Sequence, residues 1–598
     1  MTIVMLLLLM FATDDVCLQQ FSISILGVSA STSDYNDDTS TNITTTTCTD
    51  RRPPYQQRRF RSNNVDTYID TVVEELQQRN HTVLACVFAN TFPNTLDTTV
   101  FYYQQQQHQA NNNNHDSSSS SSTTTTSNNT RTFIITGDIP AMWLRDSTNQ
   151  VLPYMELNFF QFDHHLQNMI IGLIQQQTRF ILKDPYANAH YLSDQLPSER
   201  FDSPAISPNV ETDITSKPGY ASTRINAMVA GIYERKYELD TLCSFLKLSR
   251  TYYESTIGDD MRPFLDDSKW ITAVQTVITV MKEMQGQKPT TSPRQEETTD
   301  DDSKEATYQF QRQTTVPTDT LLHGVGPPGL YTGMIKSSFR PSDDATVFPY
   351  LIPSNAMAVV ELRKVSHIVE RLLKINLLTR NGNNSSNNEN NSDKQRHYAT
   401  LYNEIIEGLK ELATNIDHGI KTYGIGYHPI LGTKIYAYEV DGYGNMYYAD
   451  DANIPSLLSL PYLGYTKAED DPIYVATRDF VWSKYNPWYF SGTAGEGIGS
   501  PHGGNTNIGG LRKNSYIWPM SIIMKALTTD DDDNEIQKCI TALLKSTANT
   551  GLIHESFHKD NVNSYTRPWF SWSNSLFGEL IIKKVYNGDS EGKITATS

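Results

Sequence analysis

Four segments of the chain combine carboxylates with aromatic rings, glycine and proline. Aromatic rings stack on the apolar faces of sugars, while carboxylates, amides and arginines bind sugar hydroxyl groups, and such mixtures are typical of concave small-molecule sites. We therefore expect these segments to build a carbohydrate pocket. They are residues 136–154 (TGDIPAMWLRDSTNQVLPY), 337–355 (SSFRPSDDATVFPYLIPSN), 490–510 (FSGTAGEGIGSPHGGNTNIGG) and 551–580 (GLIHESFHKDNVNSYTRPWFSWSNSLFGEL).

Cleavage of a glycosidic bond usually takes two carboxyl groups, one that donates a proton and one that acts as base or nucleophile. The segments offer four candidates, Asp343, Asp344, Glu496 and Glu555. Each has a structural alternative. The Ser-Asp-Asp triplet could cap the N-terminus of a helix, Glu555 could be a salt-bridged loop acid, and Glu496 stands among glycines that favour a turn.

The segment 136–154 holds Asp138 shortly before its first proline, and Trp143, Arg145 and Asp146 between its two prolines. Arg145 and Asp146 could form a structural ion pair or a clamp on the substrate. We interpret the segment as a wall that binds sugar hydroxyls and orients the substrate, with Trp143 either touching the sugar or packing behind the wall. Its two acids are not expected to be the proton donor or the base.

Other chemistries fit the sequence less well. It contains no nucleophile elbow, its glycine-rich segment 492–504 lacks the spacing of a dinucleotide fingerprint, and no tight cluster of His and carboxylates indicates zinc. His164 and His165 are expected at a solvated helix start. The net charge of -18 argues against a nucleic-acid surface. Five cysteines without paired spacing predict neither a disulfide framework nor a metal knuckle.

The elements that must position these residues are mainly helical. Apolar residues at helical spacing predict helices around 65–76, 166–174, 270–281, 401–412 and 536–544, and a β-hairpin is expected between 424 and 448. No alternation of strands and helices favours a parallel sheet. Helices joined by long, chemically rich loops predict an all-α toroid with its site at one mouth.

Low-complexity tracts interrupt this body near residues 104–130, 287–316 and 381–395, and we expect them to be surface-loop expansions without a core. Residues 31–60 are rich in Ser, Thr and Asp and predict a disordered stalk. Residues 61–590 are expected to form the folded domain.

The N-terminus carries an apolar run of roughly ten residues, too short for a membrane span of ~20 residues. We expect residues 1–30 to be a signal peptide or a weak signal-anchor, and contact with a membrane only if that run is retained. Asn-x-Ser/Thr sequons support entry into the secretory pathway and secretion or a Golgi or vacuolar location. They lie at Asn42, Asn80, Asn128, Asn383, Asn384 and Asn390.

Several long motifs, in this order, resemble glycoside hydrolase family 125, whose members are metal-independent exo-acting α-1,6-mannosidases. The resemblance covers roughly residues 60–590 and breaks only at the low-complexity tracts. It implies an (α/α)6 barrel, mannose-containing glycans as substrates, and no metal or other cofactor. The motifs are GDIPAMWLRDS, KPGYAST (217–223), YERKYELDTLC (233–243), FRPSDDATVFPYLIPSN, GTAGEGIGSPH, IWPMSI (517–522), HESFHKD and TRPWFSWSNSLFGEL.

The resemblance also implies hydrolysis with inversion of configuration. Carried over, the general base is Glu555 and the general acid is Asp343 or Asp344, of which we favour Asp343. Asp343 is expected to stay protonated in an apolar setting near Phe348, and the two carboxyl groups are expected ~6.5–9.5 Å apart to leave room for a water. The motifs further place Arg340, Glu496, His502, His554 and Arg567 among the expected substrate-binding residues.

Two rival functions remain open at this stage: a sugar-binding protein that has lost catalysis, and an α/α-barrel hydrolase of other specificity, such as an α-glucosidase. The loop 503–507 looks longer and more polar than the family pattern, so the linkage preference could differ.

Overall fold

The computed structural model describes residues 48–586, apart from gaps at 105–130, 158, 160–162, 194–229, 257–259, 266–267, 287–307, 313, 315, 382–388, 469, 503–514 and 531. The described residues are mainly helical, as predicted. Their helices are α1 (Asn63–Gln78), α2 (Thr82–Thr91), α3 (Leu144–Asn149), α4 (Leu152–Glu156), α5 (His164–Lys183), α6 (Leu239–Ser255), α7 (Arg262–Leu265), α8 (Lys269–Gln285), α9 (Ile352–Asn381), α10 (Glu389–Tyr423), α11 (Pro472–Val481), α12 (Pro519–Leu527), α13 (Asp533–Ser546) and α14 (Ser571–Ile581).

The five helices predicted from apolar spacing are all present, as α1, α5, α8, α10 and α13. Their apolar stripes face the core because burial of one face stabilises an amphipathic helix. Polar side chains mark several starts: the Ser62 hydroxyl accepts a hydrogen bond from the Val65 amide, and Asp163 accepts one from Leu166. His164 and His165 lie in the exposed first turn of α5, as expected.

Short antiparallel sheets of two or three strands connect the helices in the described part of the chain. The hairpin expected at 424–448 is present as two hairpins, β7–β8 and β9–β10. The strands are β1 (Val100–Gln104), β2 (Arg131–Ile134), β3 (Met142–Trp143), β4 (Ala189–His190), β5 (Ile232–Glu234), β6 (Tyr350–Leu351), β7 (Ile425–Tyr427), β8 (Lys434–Tyr436), β9 (Glu439–Val440), β10 (Met446–Tyr447), β11 (Tyr489–Ser491), β12 (Glu496–Ile498), β13 (Tyr516–Ile517), β14 (Ser556–His558) and β15 (Asn561–Thr566).

Helices that follow one another in the chain pack side by side. Helix α9 packs along α10 and against α6, α5 packs against α8 and α6, and α12 packs against α13 and α14. Their buried faces share one large apolar core, with Trp270, Trp572 and Tyr154 among its largest fully buried side chains. The small sheets and loops lie between the helices and carry the segments in which chemistry is expected.

Three predicted boundaries are wrong because apolar or helical residues sit inside tracts that looked polar on average. The stalk predicted for 31–60 ends too late, since Phe60 is buried and Cys48 forms a disulfide with Cys86. The insert predicted for 287–316 includes Tyr308 and Phe310, which are buried in the core. The insert predicted for 381–395 includes the first residues of α10.

Cys48 and Cys86 form a disulfide that the cysteine spacing did not indicate. It joins the segment before α1 to α2. Cys243 and Cys539 are buried free thiols.

No helix in the described residues is both long enough and apolar enough to cross a bilayer. The predicted signal or anchor segment, the motif at 217–223, the loop 503–507 and the sequons at Asn42, Asn128, Asn383 and Asn384 lie outside the described residues.

Candidate active site

One cavity of about 140 Å³ collects residues from all four chemistry-bearing segments. Its wall combines three indole rings and one phenyl ring with carboxyl, guanidinium and imidazole groups, which is the mixture expected for a carbohydrate site. The lining residues are Thr136, Ile139, Trp143, Arg145, Asp146, Pro341, Ser342, Asp343, Asn453, His502, Trp518, Glu555, Arg567, Phe570 and Trp572.

The Ser-Asp-Asp triplet lies in a tight turn and does not cap a helix, because the next helix begins only at Ile352. Asp343 has a φ of 67°, a left-handed conformation that costs free energy for a residue other than glycine. Its amide donates to the Arg340 carbonyl at 2.9 Å, and its carbonyl accepts from Lys236 Nζ at 2.7 Å. These bonds hold the turn and direct the Asp343 carboxyl group into the cavity.

Asp343 and Asp344, the two alternative acids, are separated by this turn. The Asp343 side chain lines the cavity and is 24% exposed. Asp344 is buried away from the cavity lining, accepts a 3.4 Å hydrogen bond from Ser342, and uses its backbone carbonyl to accept from the Arg340 amide at 2.8 Å. Only Asp343 of the pair is placed to meet a ligand in this cavity.

Arg145 is a buried residue that lines the same cavity as Asp343. Its Nη1 is 2.5 Å from a Glu238 oxygen and 3.1 Å from an Asp240 oxygen, and its Nη2 is 3.8 Å from Asp343 Oδ1. Arg145 therefore combines features of a structural ion pair and of a substrate-binding residue. Its guanidinium pairs with two buried acids and also lines the cavity.

Asp146 and Trp143 line the cavity beside Arg145. Burial raises the pKa of Asp146 to about 6, against the lowering influence of Arg145 and Arg567. Trp143 belongs to strand β3 and packs edge-on against Tyr233, with ring centroids 5.1 Å apart. Trp143 thus forms part of the cavity wall and is also packed from behind.

Glu555 comes from the last of the four segments and lines the cavity just before strand β14. One carboxylate oxygen accepts a 2.9 Å hydrogen bond from Thr566 Oγ1, and the other is 3.4 Å from Arg567 Nη1. Arg567 also pairs with Asp138 at 2.6 Å and donates to Thr136 Oγ1 at 3.1 Å. Glu555 is therefore salt-bridged, as the structural alternative proposed, but both members of its ion pair line the cavity.

The backbone at Gly137 brings these two segments together. Its φ is 139°, and a Cβ atom there would lie 2.1 Å from the Trp569 carbonyl oxygen. Only glycine permits this approach, which lets the Asp138 amide donate to the same carbonyl at 3.1 Å. Asp138 consequently reaches Arg567 rather than the cavity.

Residues 81–582 match the family model described as metal-independent alpha-mannosidase (GH125). The chain belongs to glycoside hydrolase family 125. It is 40% identical over 535 residues to the meiotically up-regulated gene 157 protein of Schizosaccharomyces pombe, a match that covers 89% of this chain and 87% of the relative.

A solved structure of a Streptococcus pneumoniae metal-independent alpha-mannosidase, described as a non-productive substrate complex with alpha-1,6-mannobiose, also matches. Its TM-score is 0.66 at 32% identity, and the match covers 88% of this chain and 98% of the other. That family 125 relative has an (α/α)6 fold, so the predicted (α/α)6 barrel is confirmed. Membership supports a glycoside hydrolase of the α-mannosidase class.

Five residues predicted to act in this family 125 site do not line the cavity. Asp138 reaches it only through Arg567. Asp344 is buried. Three others have structural partners: Arg340 donates to Glu439 at 2.6 Å, Glu496 accepts from Tyr489 at 2.8 Å on an exposed hairpin, and His554 stacks on Tyr565 with centroids 3.7 Å apart. Burial lowers the pKa of His554 to about 4, which suits a neutral packing role.

Arg340 still matters to the acid turn. Its partner Glu439 accepts hydrogen bonds from the amides of Val347 and Phe348 at 2.8 and 3.0 Å, so the pair fixes both ends of the loop around Asp343. The charged groups near Asp343 also overturn the apolar setting expected there from Phe348.

The sequence-based prediction missed several members of the site, most notably Lys236, Glu238 and Asp240. All three lie in the motif YERKYELDTLC, which supported the family resemblance but was assigned no role. Their charges next to buried apolar residues are the signal that could have identified them, because buried charges are retained only with partners. Asn453, Trp518, Phe570 and Trp572 also line the cavity without having been predicted.

Proposed function

We propose that this family 125 member is an exo-acting enzyme that hydrolyses terminal α-1,6-linked mannose from glycans with inversion, with Asp343 as general acid and Glu555 as general base. The observation that carries the proposal is that these two carboxyl groups line one cavity but have different surroundings. The α-1,6-mannobiose complex of the Streptococcus pneumoniae relative supports the linkage.

Asp343 would donate its proton to the glycosidic oxygen as the bond to the anomeric carbon breaks. The choice over Asp344 is supported by placement, because the Asp344 carboxyl group is buried outside the cavity lining. The cost of the left-handed backbone at Asp343 is the kind of strain that accumulates at functional sites.

Glu555 would take a proton from the water that attacks the anomeric carbon. The hydrogen bond from Thr566 and the nearby Arg567 guanidinium orient the carboxylate and suit a charged group. Inversion requires a water between the sugar and this base, and we expect the carboxyl groups to be ~6.5–9.5 Å apart for that reason.

Trp143, Arg145, Asp146, His502 and Arg567 complete the wall that would bind the terminal mannose. A glycan hydroxyl exchanges hydrogen bonds with water for bonds with these groups, so the wall contributes orientation as well as affinity. Trp518, Phe570 and Trp572 provide the apolar surfaces on which a sugar face can stack.

A release assay tests the proposal. The purified chain is incubated with α-1,6-mannobiose and, separately, with α-linked glucose disaccharides, in the presence of a chelator, and the anomer first released is identified by NMR. We expect mannose, released initially as the β-anomer. Release of glucose alone would favour another specificity, and binding of mannobiose without release would favour a glycan-binding protein; either result would overturn the proposal.

We also propose that the protein enters the secretory pathway. The disulfide between Cys48 and Cys86 supports this location, because such bonds persist in oxidising compartments. The exposed sequon at Asn80 is available in the turn between α1 and α2. Endoglycosidase treatment of protein from its native source should shift its mass, and an unmodified protein with two free thiols at 48 and 86 would contradict the location.

A further inference from the structure

The acid side of the cavity holds more carboxyl groups than its arginine can neutralise. Four of them surround the buried Arg145 guanidinium, with nitrogen-to-oxygen distances of 2.5 Å to Glu238, 3.1 Å to Asp240, 3.7 Å to Asp146 and 3.8 Å to Asp343. Charge left unpaired in a buried site is costly, and a buried carboxyl group commonly avoids that cost by keeping its proton.

Glu238 and Asp343 meet at the same guanidinium, since Arg145 Nη1 is 2.5 Å from a Glu238 oxygen and Arg145 Nη2 is 3.8 Å from Asp343 Oδ1. The Glu238 carboxyl group lies within hydrogen-bonding reach of the Asp343 carboxyl group, and Asp343 Oδ1 is buried without a hydrogen-bond donor among the described residues. Two carboxyl groups can hydrogen-bond to each other only if one of them is protonated, because ionised carboxylates are acceptors only.

The remaining bonds of Glu238 fix it in this position. One oxygen accepts from Asn188 Nδ2 at 3.2 Å, and the other accepts from Thr241 Oγ1 at 3.0 Å and from Arg145. The side chain is completely buried. Burial raises the pKa of Glu238 well above its ordinary range, and the neighbouring Asp343 adds to the effect.

We propose that Glu238 is a positioning residue that shares one proton with Asp343 and so keeps the general acid loaded. The inference rests on the proposed function. The shared proton moves to the glycosidic oxygen as the bond from that oxygen to the anomeric carbon breaks, and the attacking water gives its proton to Glu555. Afterwards Glu555 returns a proton to solvent, and the carboxyl pair takes one up.

Other charged groups also face Asp343. Arg145 and Lys236 are cations that oppose retention of its proton, with Lys236 Nζ only 2.7 Å from its carbonyl. Asp146, Asp240 and His502 complete the set. Lys236 is itself balanced by Asp319 at 2.8 Å and Glu234 at 3.7 Å. The interaction with Asp343 is a side-chain hydrogen bond for Glu238, whereas for Asp146 and Asp240 it is an effect of charge.

The test compares pH profiles of kcat/KM on α-1,6-mannobiose for the wild type, Glu238→Gln and Asp240→Asn. Glutamine keeps the shape of the side chain but carries no titratable proton. We expect the alkaline limb of the Glu238→Gln profile to move to lower pH by about one unit or more. Asp240→Asn is the matched control, because it removes a buried carboxylate from the same arginine without removing the contact with Asp343, and its limb should move less.

Equal shifts in the two variants would overturn the inference, since loss of any carboxylate beside Arg145 would then explain the effect. An unshifted limb in a Glu238→Gln protein that melts like the wild type would also overturn it. If Glu238→Gln does not fold, Glu238→Asp takes its place, because aspartate withdraws the carboxyl group by one methylene. The alkaline limb of the Glu238→Asp profile should then also shift to lower pH. An unchanged limb would contradict the shared proton. A wild type without mannosidase activity overturns the proposed function and this inference together, whereas an active wild type with unmoved limbs overturns the inference alone.

Discussion

The two carboxyl groups proposed to act on the substrate have opposite surroundings. The neighbours of Asp343 are interior groups: the Arg145 side chain is 4% exposed and Glu238 is fully buried. The neighbours of Glu555 are partly solvated, since Arg567 is 18% exposed and its second partner Asp138 is 34% exposed. Four carboxyl groups share the buried Arg145, whereas two, those of Glu555 and Asp138, share the more exposed Arg567. Such opposed environments are how two like residues take the roles of acid and base.

The difference originates in the elements that carry each side. The acid side is assembled from helix α3, the segment 234–240 that leads into the first turn of α6, and the turn around Asp343. The base side is assembled at an edge, from the β14–β15 hairpin and the turn at Gly137. The Asp343 and Glu555 side chains are themselves 24% and 11% exposed. The contrast therefore lies in their neighbours, which are more deeply buried around Asp343 than around Glu555.

The largest expected effect comes from removing the two carboxyl groups themselves. Asp343→Asn and Glu555→Gln should each lower kcat on α-1,6-mannobiose by about a hundredfold to ten-thousandfold. An activated aryl α-mannoside separates the two roles, because its leaving group needs no proton. On that substrate Asp343→Asn should recover much of its rate and Glu555→Gln should not.

Asp344→Asn is the matched control for the acid, because it changes the neighbouring carboxyl group that lies outside the cavity lining. It should lose less than about tenfold. Equal losses for Glu555→Gln and Asp343→Asn on both substrates would contradict the division into acid and base sides.

A smaller effect is expected from Arg567, which joins Glu555 to Asp138 and Thr136. Arg567→Lys keeps one charge but cannot make the same set of bonds, because lysine lacks the planar fork of the guanidinium. We expect kcat/KM to fall by about tenfold to a hundredfold, and Asp138→Asn to lose less because it leaves Arg567 beside Glu555. A wild-type rate in Arg567→Lys would show that the base needs no such support.

Much of this arrangement could be predicted from the sequence because its signals are local. The apolar stripe that includes Val65, Ile69 and Val72 defined α1 without any tertiary information, and the motifs around Asp343 and Glu555 named the family. Element boundaries were harder, since Phe310 is a single buried ring beside a long polar tract. An average over a tract dilutes such a residue.

The roles of individual polar residues were the least predictable part. Arg340 lies three residues from Asp343 and was expected to bind substrate, but its side chain turns inward to Glu439. Glu238 received no role because its partner Arg145 is 93 residues away in the chain. Contacts at such separations follow from the packing of helices, which no local pattern contains.

Removal of the disulfide between Cys48 and Cys86 tests whether the segment that carries Glu555 depends on contacts with the region around Cys48. Near Cys48, the Asn90 side chain donates to the carbonyls of Thr49 and Gly551 at 2.8 and 3.1 Å, and residue 551 opens the segment that leads to Glu555. Replacing Cys48 and Cys86 by serine should lower the free energy of unfolding by about 2–4 kcal/mol, measured by urea denaturation. Reductant should destabilise the wild type but not the double variant, while kcat below the transition changes little; a wild type indifferent to reductant would contradict a stabilising bridge.

The smallest change in kcat/KM is expected for substitution of Glu496, a residue for which the sequence-based prediction and the structure disagree. It stood among the predicted site residues, yet it is exposed on strand β12 and pairs with Tyr489 outside the cavity. Glu496→Gln keeps a similar shape and should change kcat/KM by less than about twofold, as surface substitutions usually have small effects. The same assay on Asp146→Asn provides the contrast, because that acid lines the cavity. A large loss of kcat/KM in Glu496→Gln would mean that the β11–β12 hairpin reaches the substrate. The substrate site would then include a third region beside those that carry Asp343 and Glu555.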